Sequence, residues 1–231
     1  MRRFAVACAV VAGCGTSAEP PIPAAPPAPP PCLGQLATTG AATYYEATGA
    51  GSCSFAAVPA ERLVAAINTA DYDHAALCGA CLEVDGPLGH VVVRVVDRCP
   101  GCRRGDLDLS REAFAAIAPL SAGRTKIAWR TVACPVTGPI VYRIKPGSNA
   151  SWTAFQLSNH RYPIARLEVR DAAGAYRAVP RGDDNYFVAR GLGAGPYTLR
   201  VTDRHGHALD DAAIALGDAV RRGAAQLPAC P

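Results

Sequence analysis

Apolar positions in this chain come in short runs broken by Gly and Pro, the punctuation of strands rather than of long helices. The strongest run is Val91-Val92-Val93-Arg94-Val95-Val96. It is β-branched and almost continuously apolar, which suits a barrel strand or one covered on both faces. Cys81-Leu82-Glu83-Val84 precedes it across Gly86-Pro87-Leu88-Gly89, and the two read as a hairpin. Lys126 to Val132 alternates as a strand. Ser110 is placed to cap a short helix over Arg111–Ile117, with Phe114 and Ile117 on one face. Glu61 to Ile67 is ambiguous between helix and strand, because its Ala and Leu content favours helix.

Pro135 to Pro139 breaks the pattern. Beyond it, alternating segments lie at Val141–Ile144, Thr153–Leu157, Ala165–Val169, Tyr186–Ala189 and Tyr197–Val201. Turn signals separate them at Pro146-Gly147, Ala173-Gly174, Gly191–Gly195 and His205-Gly206. Short strands at this spacing predict an antiparallel β-sandwich. The tail after Asp211 reads as a short helix ending near Gly223. The expected organisation is a signal segment over 1–14, a Pro-rich linker over 15–35, a barrel over 36–135, a sandwich over 136–212 and a tail over 213–231.

The first of these divisions comes from chemistry rather than periodicity. Arg2 and Arg3 precede a brief apolar run, Phe4 to Ala12, too short to span a bilayer, and Val11-Ala12-Gly13-Cys14 is similar to a bacterial lipobox. The expectation is an exported chain with a diacylated Cys14, anchored to a bacterial outer membrane or cell surface; the alternative is ordinary secretion. Glu19 to Pro31 is dominated by proline and reads as an extended spacer. Hydrophobic residues at 50% and charged residues at 18% allow a packed core. The net charge of +4 is mild, and no Lys/Arg cluster points to nucleic acid. With Cys8 and Cys14 set aside from the 10 cysteines, Cys32, Cys53, Cys78, Cys81, Cys99, Cys102, Cys134 and Cys230 remain. An even set in an exported chain reads as disulfides, with pairings that spacing cannot assign. The two Cys-x-x-Cys pairs also have zinc spacing, but an oxidising compartment favours bridges.

Several motifs carry a resemblance. They are Ala42-Thr43-Tyr44-Tyr45, Cys78-Gly79-Ala80-Cys81-Leu82-Glu83-Val84, Val96-Asp97-Arg98-Cys99-Pro100 and Gly105-Asp106-Leu107-Asp108-Leu109-Ser110. Further on come Tyr142-Arg143-Ile144-Lys145-Pro146-Gly147-Ser148 and the stretch from Trp152 to Asn159-His160-Arg161-Tyr162-Pro163. Together, in this order, they resemble a bacterial expansin. The resemblance implies a mainly β chain: a six-stranded double-psi β-barrel followed by an immunoglobulin-like antiparallel β-sandwich. It also implies a monomer that binds cell-wall polysaccharide and loosens walls without hydrolysis, cofactor or metal. It makes Asp108 the functional acid, with Thr43 and Asp97 as cleft partners; carbohydrate contact is expected at Trp152, Tyr186, Tyr45 and Lys145. It suggests the bridges Cys53–Cys78 and Cys81–Cys134; Cys99–Cys102 fits a tight loop, and Cys32–Cys230 is then what remains.

The residues also limit the chemistry. Inverting cleavage of a glycosidic bond needs an acid and a base on opposite sides of the sugar. Asp108 can serve as the acid. In the related glycoside hydrolases the base closes a Thr-x-Tyr-x-Asp run; here the run is Thr43-Tyr44-Tyr45-Glu46-Ala47, so that slot holds Ala47. Glu46 is one position off and points to the other face of a strand. A glycoside hydrolase is thus disfavoured, whereas a lytic transglycosylase, which needs a single acid, stays open beside expansin action and plain adhesion. Leu107 and Leu109 flank Asp108, so alternation turns Asp108 away from the core. Asp97 is either a cleft group or a loop tie accepting backbone amides, and Thr43 either a cleft group or an ordinary strand threonine. Asp106 is expected to be a solvated turn residue. Trp152 is expected to face outward beside Gln156. The other two positions of the expansin aromatic row fall on Ser151 and Asp184, with Tyr186 sharing the face of Asp184 by parity.

Overall fold

A computed structural model describes residues 37–58 and 60–230. The expected signal segment, the Pro-rich spacer, Cys14 and Cys32 lie outside the described residues.

Six strands close a barrel: β1 Thr38–Tyr45, β2 Val64–Asn68, β3 Cys81–Gly86, β4 Gly89–Cys99, β5 Leu107–Ser110 and β6 Thr125–Val132, in the order β1-β5-β2-β4-β3-β6. Most pairings are antiparallel, but β1–β5 and β2–β4 run parallel. These parallel pairs bring sequence-distant strands side by side, as a double-psi barrel requires. The ambiguous segment resolves as strand: all five residues of β2 are buried between β4 and β5. Tertiary burial on both faces overrides its helix propensity. The helix α2 spans Arg111–Ile117, and the Ser110 hydroxyl caps it by accepting from the Ala113 amide at 3.3 Å. A second short helix, α1 Thr69–Tyr72, is capped by Asn68.

The second half forms two antiparallel sheets packed as a sandwich. One holds β9 Ile164–Arg170, β10 Tyr176–Val179, β12 Tyr197–Asp203 and β13 Ala208–Ile214. The other holds β7 Val141–Ile144, β8 Trp152–Ser158, β11 Phe187–Arg190 and β14 Arg221–Arg222. Tyr142, Phe155, Leu157, Leu167 and Leu199 fill the space between them.

The tail helix is not formed. Residues 211–224 continue β13 and then pair as β14 with β7. The cause is a buried carboxylate: Asp211 accepts the Tyr142 hydroxyl at 2.6 Å and the Ala224 amide at 2.6 Å, tying the tail to the sheet. Leu227 then inserts fully into the core.

Three disulfides join Cys53–Cys78, Cys81–Cys134 and Cys99–Cys102, the pairings expected for these six cysteines. Cys230 is also disulfide-bonded.

Candidate functional site

The parallel β1–β5 pair builds the centre of the site. Its register sets Thr43 beside Asp108, 65 residues away in sequence, and the Thr43 hydroxyl donates to Asp108 Oδ1 at 2.6 Å. Leu107 and Leu109 are fully buried, so the strand turns Asp108 toward the barrel surface. Burial raises the Asp108 pKa, the Thr43 hydrogen bond opposes this, and the charge of Asp97 raises it further. Asp97 is therefore near enough to be felt by Asp108. Its own Oδ1, however, accepts amides from Ser52 at 2.6 Å and Arg98 at 2.7 Å. It serves as a loop tie and contributes its charge to the cleft at the same time. Gly51 makes the tie feasible, because a Cβ there would stand 2.4 Å from the Asp97 side chain.

Tyr45 ends β1 beside these carboxylates. Burial raises its pKa well above the usual range, with Asp97 and Asp108 adding to the effect, so the phenol keeps its proton. Its hydroxyl is buried without a hydrogen-bond partner. Ala47, in the slot where the hydrolases carry a base, packs against the barrel core. Glu46 is exposed and pairs loosely with Arg111.

Asp106 is not a solvated turn residue. It is 7% exposed, accepts the Ala41 amide at 2.8 Å and pairs with Arg124 at 2.8 Å. Burial pushes its pKa up, but these hydrogen bonds outweigh burial and hold it below the ordinary value. Asp106 thus fixes β1 against the loop that delivers Asp108.

Sequence reasoning missed the path from this cleft to the sandwich. The loop carrying Ser52, Cys53 and Ser54 leads there. Gln156 Nε2 donates to the Cys53 and Ser54 carbonyls, and Asn185 Nδ2 donates to that of Cys53. Tyr72 places its hydroxyl 3.0 Å from the Ser52 carbonyl and 2.6 Å from that of Asp183. Gln156 is buried under this loop rather than exposed beside Trp152. No local pattern signals these contacts, most of which join residues more than 100 positions apart.

Past the junction, Lys145 pairs with Asp184 at 2.9 Å and lies over the Tyr186 ring at 4.4 Å from its centroid. Tyr186 is 4% exposed, which leaves too little open ring for a sugar to stack on. Trp152 is partly exposed at the start of β8. Asp97 accepts the Ser52 amide, the Tyr72 hydroxyl bridges Ser52 and Asp183, and Asp184 pairs with Lys145, a strip of linked residues from the barrel to the sandwich.

Comparison with known proteins places the chain. A family model described as "Lytic transglycolase" matches residues 37–129. Expansin-YoaJ of Bacillus subtilis is 40% identical over 74% of this chain and 76% of its own. Expansin-like protein 2 of Dictyostelium discoideum is 33% identical over 73% of this chain and 44% of its own. A mutant expansin of Clavibacter michiganensis, crystallised in complex with cellohexaose, superposes with a TM-score of 0.77 at 35% identity, covering 83% of this chain and 98% of that one. The ligand-free form of that protein matches with the same TM-score at 36% identity.

Proposed function

The chain belongs to the expansin family, and from that premise we propose that it binds cell-wall polysaccharide along the strip and separates neighbouring glycan chains without cutting them. The observation that carries this reading is the pairing of Asp108 with Thr43, half-buried at the barrel surface, with Ala47 in the position where related hydrolases carry a base. The acid can bind and polarise a bridging oxygen. Asp97 has one carboxylate oxygen committed to two amides, which makes it a poor activator of water. In this reading residues 36–135 bind through the barrel and 136–212 through the sandwich, the protein acts as a monomer, and export leaves it lipid-anchored at Cys14 or secreted. Complex formation with cellohexaose by the Clavibacter michiganensis expansin supports a β-glucan as one ligand class.

Purified protein is assayed for paper weakening or wall creep, and separately for new reducing ends on cellulose and xyloglucan. Loosening without soluble products, abolished in Asp108→Asn, is the expected result. Shortened glycans released by wild type and not by Asp108→Asn would overturn it. One observation favours a second reading: the family description over residues 37–129 together with the raised Asp108 pKa fits a lytic transglycosylase. Anhydro-sugar ends released from peptidoglycan would establish that activity.

A further inference from the structure

Among the described residues, the outer face of the β11-β8-β7-β14 sheet presents one partly exposed aromatic ring, Trp152, among several cations, Tyr186 being buried under Lys145. Alternation sends Phe155 and Leu157 of β8 into the core and Trp152 outward. Arg190 of β11 stands directly across from Trp152 in the antiparallel register and is exposed. Their Cβ atoms are therefore about 5 Å apart on the same face. Arg143 of β7 stands across from Gln156 on that face, half-buried at the junction, and Lys145 follows. Among the described residues neither Arg190 nor Arg143 has an acidic partner within 4 Å, and Asp184 offsets only Lys145. Arg190, Arg143 and Lys145 outnumber Asp184 and leave this face positive.

A neutral flat glucan gains most from several aromatic rings in a row, and here Ser151 and Asp184 stand where such rings would extend the platform. An unpaired guanidinium beside a single indole fits a different ligand. The indole stacks on one sugar ring and the guanidinium grips a planar carboxylate on that ring with two parallel hydrogen bonds. We propose that the sandwich face binds an acidic glycan bearing sugar-linked carboxylates, with Trp152 under the ring and Arg190 on the carboxylate. The proposal rests on the polysaccharide-binding reading and narrows its ligand.

The test is isothermal titration of the full chain with polygalacturonate, solubilised peptidoglycan strands and cellohexaose, at low and high salt. At low salt at least one carboxylate-bearing probe binds about tenfold more tightly than cellohexaose, and the gap closes as salt screens the face. Which acidic probe does so identifies the carboxylate source. Arg190→Gln loses about tenfold for the acidic probe and stays within about twofold for cellohexaose, while Trp152→Ala weakens both. Equal affinity of Arg190→Gln and wild type for the acidic probe overturns the proposal, as does tighter binding of cellohexaose at low salt. Failure of every probe to bind removes the polysaccharide reading and this inference with it.

Discussion

Two aspartates two positions apart do opposite jobs. Asp108 keeps one oxygen on Thr43 and faces the cleft, and its raised pKa means that folding disfavours its charged form. It is fully compatible with the fold when protonated, and it detracts from stability as pH rises through its folded pKa. Asp108→Asn is therefore expected to abolish loosening while leaving thermal stability equal or slightly higher. Asp106 has the reverse sign: its lowered pKa contributes stability that is lost as pH falls through that value. Asp106→Ala strands the Ala41 amide and the Arg124 guanidinium, at a cost of about 1–3 kcal/mol in denaturant unfolding. The pair was visible in the sequence, but their roles were only half legible. Alternation gave the facing of Asp108, whereas the burial of Asp106 depends on β1 and Arg124 arriving from elsewhere.

Most elements were legible where a run is long and flanked by turn residues. Val91–Val96 and α2 fall as their pattern predicts, and Ser110 caps the helix. Short apolar segments were not: residues 61–67 carry helix propensity yet are strand, and the tail became β14 because Asp211 captures it. The disulfides divide the elements by loop length. In the chain-entropy account, closing the loop between Cys81 and Cys134 contributes about 4 kcal/mol, and the four-residue loop from Cys99 to Cys102 about 2 kcal/mol or less. Replacing each pair by Ala and comparing urea midpoints checks this: the Cys99/Cys102 variant stays folded and loses least. An equal loss in both variants would contradict it.

At the scale of the whole molecule, the junction between barrel and sandwich carries a further pH-sensitive group. His160 is fully buried there, its Nδ1 2.8 Å from the Tyr162 carbonyl and its ring against Gly79, where a Cβ would stand 2.6 Å from Nε2. Burial lowers its pKa to about 4; the Tyr162 carbonyl opposes this and the charges of Arg181 and Arg94 add to it. Its stabilising contribution is complete above the unfolded pKa near 6.5 and is lost as pH falls toward 4. The loss amounts to about 3 kcal/mol across that window. Unfolding at pH 7, 5.5 and 4.5 should show this decline in wild type and a smaller one in His160→Gln. Parallel declines in the two proteins would assign the acid sensitivity elsewhere.

What the sequence determined by itself is local: the alternation that faces Asp108 and Trp152 outward, the turns, the helix cap, the cysteine inventory, and motifs specific enough to indicate the family. What only the tertiary structure decided is which of these residues meet. Barrel closure brought Thr43 to Asp108, the junction buried Gln156 against Cys53, Lys145 covered Tyr186, and the β8–β11 register set Arg190 across from Trp152. The reason is physical. A strand's periodicity reports which face a side chain takes, because that depends on its own backbone, whereas register and closure depend on segments far away in the chain.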